Sequence, residues 1–337
     1  MIDFRYHVVS LVSVFLALAV GIVLGAGPLN EGISVGITDQ VRQLTQESNQ
    51  LRSERDEAAA GLTSAENWAA AVAPAMVAGR LTGRTVAVVE LPDADGDQVG
   101  ATLDLLRSAG AEIRSQVRVQ DAFSDPTTLA ARRGTAQDLA QRYSAVVPAD
   151  PTPDSGADSA TLTADLLSRE LAGALLTTGA ADLDPLSPAA AQAGQLLGQL
   201  ADAGYVDVES GGDGAPRAAL AVVVGAAPAT TSGTTEDAAA AAGQVAALAL
   251  LAALDAAGSG TVLAAPAEAA DDGGVIAALR ADNDLSDDVS SVDGLQTPIG
   301  RVNVVLALRE QATGGAGQYG TAGSADAVSP PLTETAS

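Results

Sequence analysis

The first strong pattern along the chain is an apolar run over residues 8–29, VVSLVSVFLALAVGIVLGAGPL, which contains no charged side chain. About 20 helical residues span the roughly 30 Å hydrocarbon core of a bilayer, so this run predicts a transmembrane helix. A cleaved signal peptide is the alternative, but the run is long for one and no clean A-x-A site follows it. We therefore expect residues 1–29 to form a signal-anchor in the cell membrane. Arg5 favours a cytoplasmic N-terminus and an extracytoplasmic location for the bulk of the chain.

Residues 30–82 carry the next pattern, in which apolar positions recur as a heptad. We expect a coiled-coil stalk that binds either a second copy of the chain or another membrane or envelope protein. An amphipathic helix packed on its own globular domain is the alternative interpretation. Two rows form the predicted seam, one with Ile37, Leu44, Leu51, Ala58, Ala65 and Val72, the other with Ser34, Val41, Ser48, Arg55, Leu62 and Ala69. The residues that we expect to bind the partner are Ile37, Val41, Leu44, Leu51 and Leu62.

From residue 83 onward, short β-branched runs alternate with longer helical segments. The run TVAVVELP over residues 85–92 is typical of a strand buried on both faces. The alternation predicts an α/β domain over residues 83–312, with a mostly parallel sheet covered by helices on both faces. We expect strands at 85–92, 111–119, 205–209, 218–225, 261–266 and 289–293, and helices at 97–109, 126–142, 160–176, 188–203, 238–254, 272–282 and 299–312.

Two further segments complete this division of the chain. Residues 238–254 are apolar but rich in alanine and short for a membrane span, so we expect a buried helix of the α/β domain. Residues 313–337 are rich in Gly, Ser, Thr and Pro, which predicts a disordered tail.

Composition and charge narrow the classes of function. The formal net charge of −25 argues against nucleic acid as a partner, because phosphates repel such a surface. All 17 basic residues are Arg, there is no Cys, and the single His is His7, next to the apolar run. Lysine and thiol nucleophiles are therefore excluded, and a His-based catalytic triad is excluded from the α/β domain. We expect no enzymatic activity and assign no catalytic residue.

Carboxylates are the remaining reactive groups. Asp93, Asp95 and Asp97 form a D-x-D-G-D sequence that resembles the start of a Ca²⁺-binding loop. Gln98 stands where such a loop needs Gly, and Asp104 stands where it needs Glu, so this is a weak metal candidate. An acidic turn that caps the next helix is the simpler interpretation. A second acidic cluster contains Asp282, Asp284, Asp287 and Asp288.

Two segments resemble a known family. They are FRYHVVSLVSVFLALAVGIVLG at residues 4–25 and GRVNVVLALREQATGGAGQYG at residues 300–320, and the resemblance extends from Met1 to about Gly320. The family is the mycobacterial-type copper transport protein B family (MctB), which also includes SteB. The resemblance implies a role in copper efflux or homeostasis. For the SteB members it implies daughter-cell separation, with a membrane partner, SteA, and action on a peptidoglycan hydrolase through the coiled coil.

The resemblance brings no copper ligand to any position of this sequence. Cu(I) prefers thiolate and thioether ligands, and Cu(II) prefers imidazole. The chain offers no Cys, His7 alone, and two methionines, Met1 and Met76. Copper is thus implied as a cofactor only by the resemblance. Direct copper transport would need an oligomer or ligation by carboxylates alone.

Three hypotheses follow from the sequence. The first is a membrane-anchored, non-enzymatic scaffold of this family, which acts in cell separation through its coiled coil and a SteA-like partner. The alternative is copper transport or efflux and homeostasis across the cell envelope. The third is a carboxylate-dependent hydrolase, which would need a cleft that joins the two acidic clusters.

Overall fold

The structure is a computed structural model that describes residues 4–25, 29–147, 159–209, 217–228 and 234–332. It divides into two compact units, residues 1–65 and residues 66–337. The first unit contains helix α1 and most of helix α2, and the second contains the end of α2 and the α/β domain.

Helix α1, Phe4–Gly25, is apolar around its whole circumference and buries no side chain within the protein. Its 22 residues extend over roughly 33 Å, which matches the thickness of a bilayer core. An apolar helix with no protein covering it is stable in lipid, where every backbone group is satisfied inside the helix. The structure thus contains the apolar N-terminal helix that the sequence predicts.

Helix α2, Leu29–Val77, is a single helix of 49 residues that includes the predicted stalk. Its last turns belong to the second unit, where Ala69, Ala73 and Val77 are buried. The α/β unit therefore begins near Glu66, and not at residue 83 as the sequence pattern suggests. The heptad continues across this boundary, so periodicity alone does not reveal it.

One seven-stranded sheet forms the centre of the second unit, in the order β3-β2-β1-β4-β5-β6-β7. All neighbouring strands are parallel except β2 and β3, which are antiparallel. The strands are β1 Thr85–Glu90, β2 Glu112–Val119, β3 Val206–Glu209, β4 Leu220–Val224, β5 Thr261–Ala264, β6 Ser290–Val292 and β7 Gln318–Tyr319. The fold class and the mostly parallel sheet agree with the sequence-based prediction.

Helices cover both faces of the sheet. Val86 and Val88 of β1 face a cluster that includes α3, α10 and the end of α2, whereas Ala87 and Val89 face helices α4 to α8. This division follows from the alternation of side chains along a strand. The helices are α3 Gly96–Ser108, α4 Leu129–Arg142, α5 Ser159–Leu175, α6 Pro188–Asp202, α7 Thr234–Ala257, α8 Val275–Ala281, α9 Asn283–Asp288 and α10 Pro298–Gln311.

Helix α7 is the second helix of the described residues that is long and apolar enough to cross a membrane. Its C-terminal half, however, places Leu250, Leu251 and Leu254 in the core of the α/β unit. The helix is therefore a core helix of the domain, as its alanine-rich composition indicates.

The predicted disordered tail is ordered as far as Leu332. Residues 318–319 form strand β7 beside β6, and the Asn303 Nδ2 donates a hydrogen bond to the Val328 carbonyl at 2.8 Å. The prediction was wrong for residues 313–332 because side-chain-to-backbone bonds, which have no periodic sequence signal, hold this segment. Residues 333–337 and most of the predicted loop at 148–159 lie outside the described residues.

Candidate functional site

The predicted seam is an exposed apolar row on helix α2. Leu44, Leu51 and Leu62 are 64%, 63% and 62% exposed, and Val41 is exposed as well. The side chain of Ile37 lies outside the part of the chain that is described. Each leucine that becomes fully buried contributes about 1.5–3 kcal/mol, so the row favours association with another apolar surface. The structure contains no partner chain, and the coiled-coil state stays a prediction.

A hollow of about 410 Å³ lies on this row. It forms because Leu44 and Leu51 stand two helical turns apart while the small Ser48 lies between them. Glu47, Arg52 and Arg55 form its polar margin. Coiled coils pack by inserting one side chain into a hole formed by four residues of the facing helix, and this hollow has the composition of such a hole.

The carboxyl ends of β1 and β4 meet where the strand order reverses. The first six strands have the order found in dinucleotide-binding doubly wound folds, and this edge is where such folds bind ligands. The loop after β1 carries Asp93, Asp95 and Asp97 and has no glycine-rich phosphate fingerprint. The edge is thus acidic, which disfavours a phosphate-bearing ligand.

The acidic turn after β1 has a structural role. The Asp95 Oδ1 accepts a hydrogen bond from the Gln98 backbone N–H at 3.0 Å and caps α3, and Asp97 lies in the first turn of that helix. Asp104 lies further along α3 and pairs with Arg107 at 3.1 Å. Asp93 has a left-handed backbone, with φ of 61°. This arrangement matches the capping interpretation better than a calcium loop.

Gly225 follows β4 at the same edge. Its backbone N–H donates to the Ala264 carbonyl at 2.8 Å. A Cβ at this position would lie 3.1 Å from the Val275 Cγ1 and 3.3 Å from the Ala265 Cβ. The glycine therefore allows close packing between β4, β5 and α8.

A buried carboxylate on the central strand was not predicted from the sequence. Glu90 at the end of β1 is fully buried, and its two oxygens accept hydrogen bonds from the Gln116 Nε2 at 2.8 Å and the Arg118 Nε at 2.9 Å. Arg118 also pairs with Glu209 at 2.9 Å. The hydrogen bond and charge of Glu90 raise the pKa of Arg118. The alternating Arg-Ser-Gln-Val-Arg sequence of β2 is the signal that could have revealed this polar network.

The opposite, amino-terminal edge of the sheet has a cavity of about 250 Å³. Asp255, Asp287 and Asp288 line it, together with Gln311 and the turn at residues 258–260. Burial, and then the charge of Asp288, raise the pKa of Asp255 to about 6. Asp287 and Asp288 belong to the second acidic cluster of the sequence, whereas Asp255 was not predicted to join them. Asp255 lies near the end of α7, which leads into β5, and Asp287 and Asp288 come just before β6. No pattern along the chain indicates that these two strands are neighbours.

The two acidic clusters lie at opposite edges of the sheet. Asp93, Asp95 and Asp97 follow a strand, whereas Asp287 and Asp288 precede a parallel one. No cleft joins them within the described residues, so the hydrolase hypothesis loses its required geometry. Over the same ranges, no three His, Cys, Asp or Glu side chains lie close enough together to hold a metal ion.

The side chains that copper prefers as soft ligands are few. His7 lies on α1, and Met76 lies near the end of α2 and is half exposed. Met1 precedes the described residues. The sequence contains no other His, Met or Cys, so one chain offers three soft side chains in total.

Comparison with known proteins identifies the family. The family described as "Copper transport outer membrane protein, MctB" matches residues 1–330. The protein named copper transporter MctB of Mycobacterium tuberculosis (strain ATCC 25618 / H37Rv) is 30% identical over 95% of this chain and 96% of its own length. The protein of the same name from Mycobacterium leprae (strain TN) is also 30% identical, over 98% of this chain and 100% of its own length. The chain therefore belongs to the MctB family of copper transport proteins.

Proposed function

We propose that this protein supports copper transport across the cell envelope as a membrane-anchored scaffold, and that its exposed stalk row holds the partner through which it acts. The observation that carries the proposal is the row of Leu44, Leu51 and Leu62, which is exposed on a helix directly after the membrane anchor. The family and its relatives, all named for copper transport, supply the copper role.

An indirect role in copper transport is favoured by the ligand chemistry. Copper ions are held by thiolate, thioether or imidazole groups, and this chain has no Cys, one His and two Met. A single membrane helix of 22 residues does not enclose a pore by itself. Copper therefore passes through, or is held by, an assembly in which this chain positions other components.

The anchor determines where the scaffold acts. Arg5 lies before the apolar core of α1, which favours a cytoplasmic N-terminus. Helix α2 begins at Leu29, four residues after α1 ends at Gly25. The stalk and the α/β unit then lie in the extracytoplasmic space, with the seam close to the membrane. The acidic surface, with a net charge of −25, is soluble there and repels nucleic acid.

Cell separation is a second hypothesis that uses the same seam. The resemblance to SteB members implies it, and a coiled-coil partner would bind Leu44 and Leu51 in either case. Cells that lack the protein would then remain joined after division. We propose no enzymatic role, because the two acidic clusters lie at opposite edges of the sheet.

Competition for Cu(I) tests whether the chain itself binds the metal. We expect the purified full chain, in detergent, to take Cu(I) from a chelator no better than an equally acidic protein without Cys, His or Met. The physical reason is that hard carboxylates compete poorly for this soft ion. The Met76→Leu variant is the matched control, and we expect it to behave as the wild type.

A copper affinity above that of the acidic control, lost in Met76→Leu, would contradict the scaffold mechanism. The copper role itself is tested separately, in a strain that lacks the protein. That strain is expected to accumulate copper, and expression of the wild-type chain is expected to reverse the accumulation. Equal copper contents with and without the chain would refute the copper role.

A further inference from the structure

We infer that the partner on the stalk is a second copy of this chain, aligned in parallel and in register, with Glu47 of each copy paired to Arg52 of the other. The inference rests on the proposed function, because it names the occupant of the same exposed row. It is carried by the hollow at Ser48, by the charges on either side of the row and by the position of the anchor.

The heptad places the groups that flank the seam. Glu47 directly precedes Ser48, which belongs to one core row together with Val41 and Leu62. Arg52 directly follows Leu51, which belongs to the other core row together with Leu44. In heptad notation Glu47 is at position g and Arg52 at position e. In a parallel coiled coil, a residue at position g faces the residue at position e that is five places further along the other helix. Glu47 therefore faces Arg52 of the second copy, and symmetry provides this pair twice.

The opposite alignment is disfavoured by the same charges. Glu47 and Glu54 are both at heptad position g. Antiparallel helices bring residues at this position together, so that Glu47 would lie near Glu54 of the second copy. The like charges of two glutamates repel each other, whereas the parallel arrangement places Glu47 next to Arg52, which has the opposite charge. Glu54 already accepts a hydrogen bond from the Gln50 Nε2 at 2.8 Å within its own helix. Charge complementarity thus selects the parallel arrangement.

The anchor imposes the same orientation. Two copies inserted in one membrane with the same topology both begin their stalks four residues beyond the apolar helix. Their stalks then leave the membrane side by side and in the same direction. The hollow between Leu44 and Leu51 is lined on both margins by the proposed charge pair, Glu47 and Arg52. A leucine from the second copy fits its apolar floor.

Ser48 and Arg55 define the register. Both are polar residues in a core row, and the Arg55 guanidinium lies 2.6 Å from the Asp56 Oδ1 of its own helix. A polar residue in a core position weakens a coiled coil but specifies its alignment, since a shifted helix would place it against leucine. The two serines then lie opposite each other, and so do the two arginines, which keep their charges towards the rim.

Disulfide formation tests this arrangement in the full-length protein in membranes. The chain has no Cys, so the single variant Ser48→Cys has no background. We expect a mild oxidant to give about tenfold more covalent homodimer with Ser48→Cys than with Asn49→Cys, because opposed core positions lie within the roughly 6 Å Cα separation that a disulfide needs. Asn49 is the matched control, one residue away and outside the seam.

Charge reversal in the Ser48→Cys background tests the proposed pair. Glu47→Arg is expected to reduce the homodimer severalfold, and Glu47→Arg with Arg52→Glu is expected to restore it. Glu57→Arg makes the same change of charge outside the seam and is expected to leave the yield unchanged. Failure of the double variant to recover would overturn the parallel pairing.

Two results would overturn the homodimer itself. One is an equal yield from Ser48→Cys and Asn49→Cys, which indicates random collision. The other is a disulfide-independent photocrosslink from the seam to a different envelope protein with no homodimer. The photocrosslink to another protein would be compatible with the proposed function of the stalk. A homodimer in cells whose copper content does not depend on the protein would refute the copper role and support the pairing.

Discussion

Substitution of Gly320 by alanine is expected to lower the free energy of unfolding of the α/β unit by about 4 kcal/mol, since it combines overpacking with damage to a buried ion pair. Gly320 has φ of 138°, a conformation that side chains rarely adopt, and a Cβ there would overlap the Asp293 carboxylate. Asp293 is fully buried, pairs with Arg280 at 3.1 Å and accepts the Thr321 N–H at 2.8 Å. One methyl group therefore disturbs both the backbone and the charge pair.

The measurement for Gly320→Ala is thermal unfolding followed by circular dichroism. The expected loss corresponds to a midpoint roughly 10 °C lower for a domain of this size. Gly323→Ala is the matched control, because a Cβ there meets no atom within 4 Å. If both variants unfold at the wild-type temperature, the C-terminal segment does not stabilise the domain in the way described.

Glu170→Gln is expected to remove a strong pH dependence of stability. Glu170 lies on α5 and is fully buried, and neither carboxylate oxygen makes a hydrogen bond of normal geometry within the described residues. Burial raises the pKa of Glu170 from 4.5 to about 8, and the Ala140 backbone N–H and the charge of Arg169 offset only part of this effect. The folded protein therefore keeps this carboxyl protonated at neutral pH.

The direction of the pH effect follows from proton binding. Between pH 4.5 and 8 the folded chain holds a proton on Glu170 that the unfolded chain has released. Stability therefore falls as pH rises through this range, by roughly 4 kcal/mol in total. Glutamine stays neutral at every pH and is expected to abolish this part of the decline, so the variant gains stability relative to the wild type as the pH rises.

Denaturant unfolding at pH 5 and pH 8 measures this difference. Asp202→Asn on the neighbouring helix α6 is the control, since this acid is exposed. We expect the control to keep the wild-type dependence and Glu170→Gln to lose most of it. Parallel pH profiles for the wild type and Glu170→Gln would show that the buried carboxyl does not titrate as described.

Much of the fold could be predicted from the sequence because the spacing of apolar residues along the chain indicates which positions are buried. The runs at 86–89 and 220–224 are apolar at every position, and each lies in an inner strand of the sheet. The two-residue strand β7 has no such signal. Tyr319 is held there by donating its O–H to Glu310, and Gln318 by donating to the Ser286 and Val289 carbonyls at 2.8 and 3.0 Å. These contacts depend on tertiary structure.

The candidate site was less accessible to sequence reasoning. The leucines of the stalk could be named because their spacing is regular, and the structure shows them exposed. Asp255, by contrast, meets Asp287 and Asp288 only because β5 and β6 are adjacent in the sheet. A pattern along the chain does not reveal which strand ends share an edge. Glu90 and Arg118 likewise come together through the pairing of β1 with β2, although the alternation of polar residues along β2 is visible in the sequence.

The copper content of cells tests the role of the seam most directly. A strain that lacks the protein would express Leu44→Asp/Leu51→Asp or, as a control, Gln46→Asp/Ser53→Asp, which adds the same charge on the outer face of the helix. At equal membrane levels, the seam variant is expected to accumulate copper like the strain without the protein, and the control is expected to match the wild type. Wild-type copper content with the seam variant would contradict a copper role that depends on the stalk.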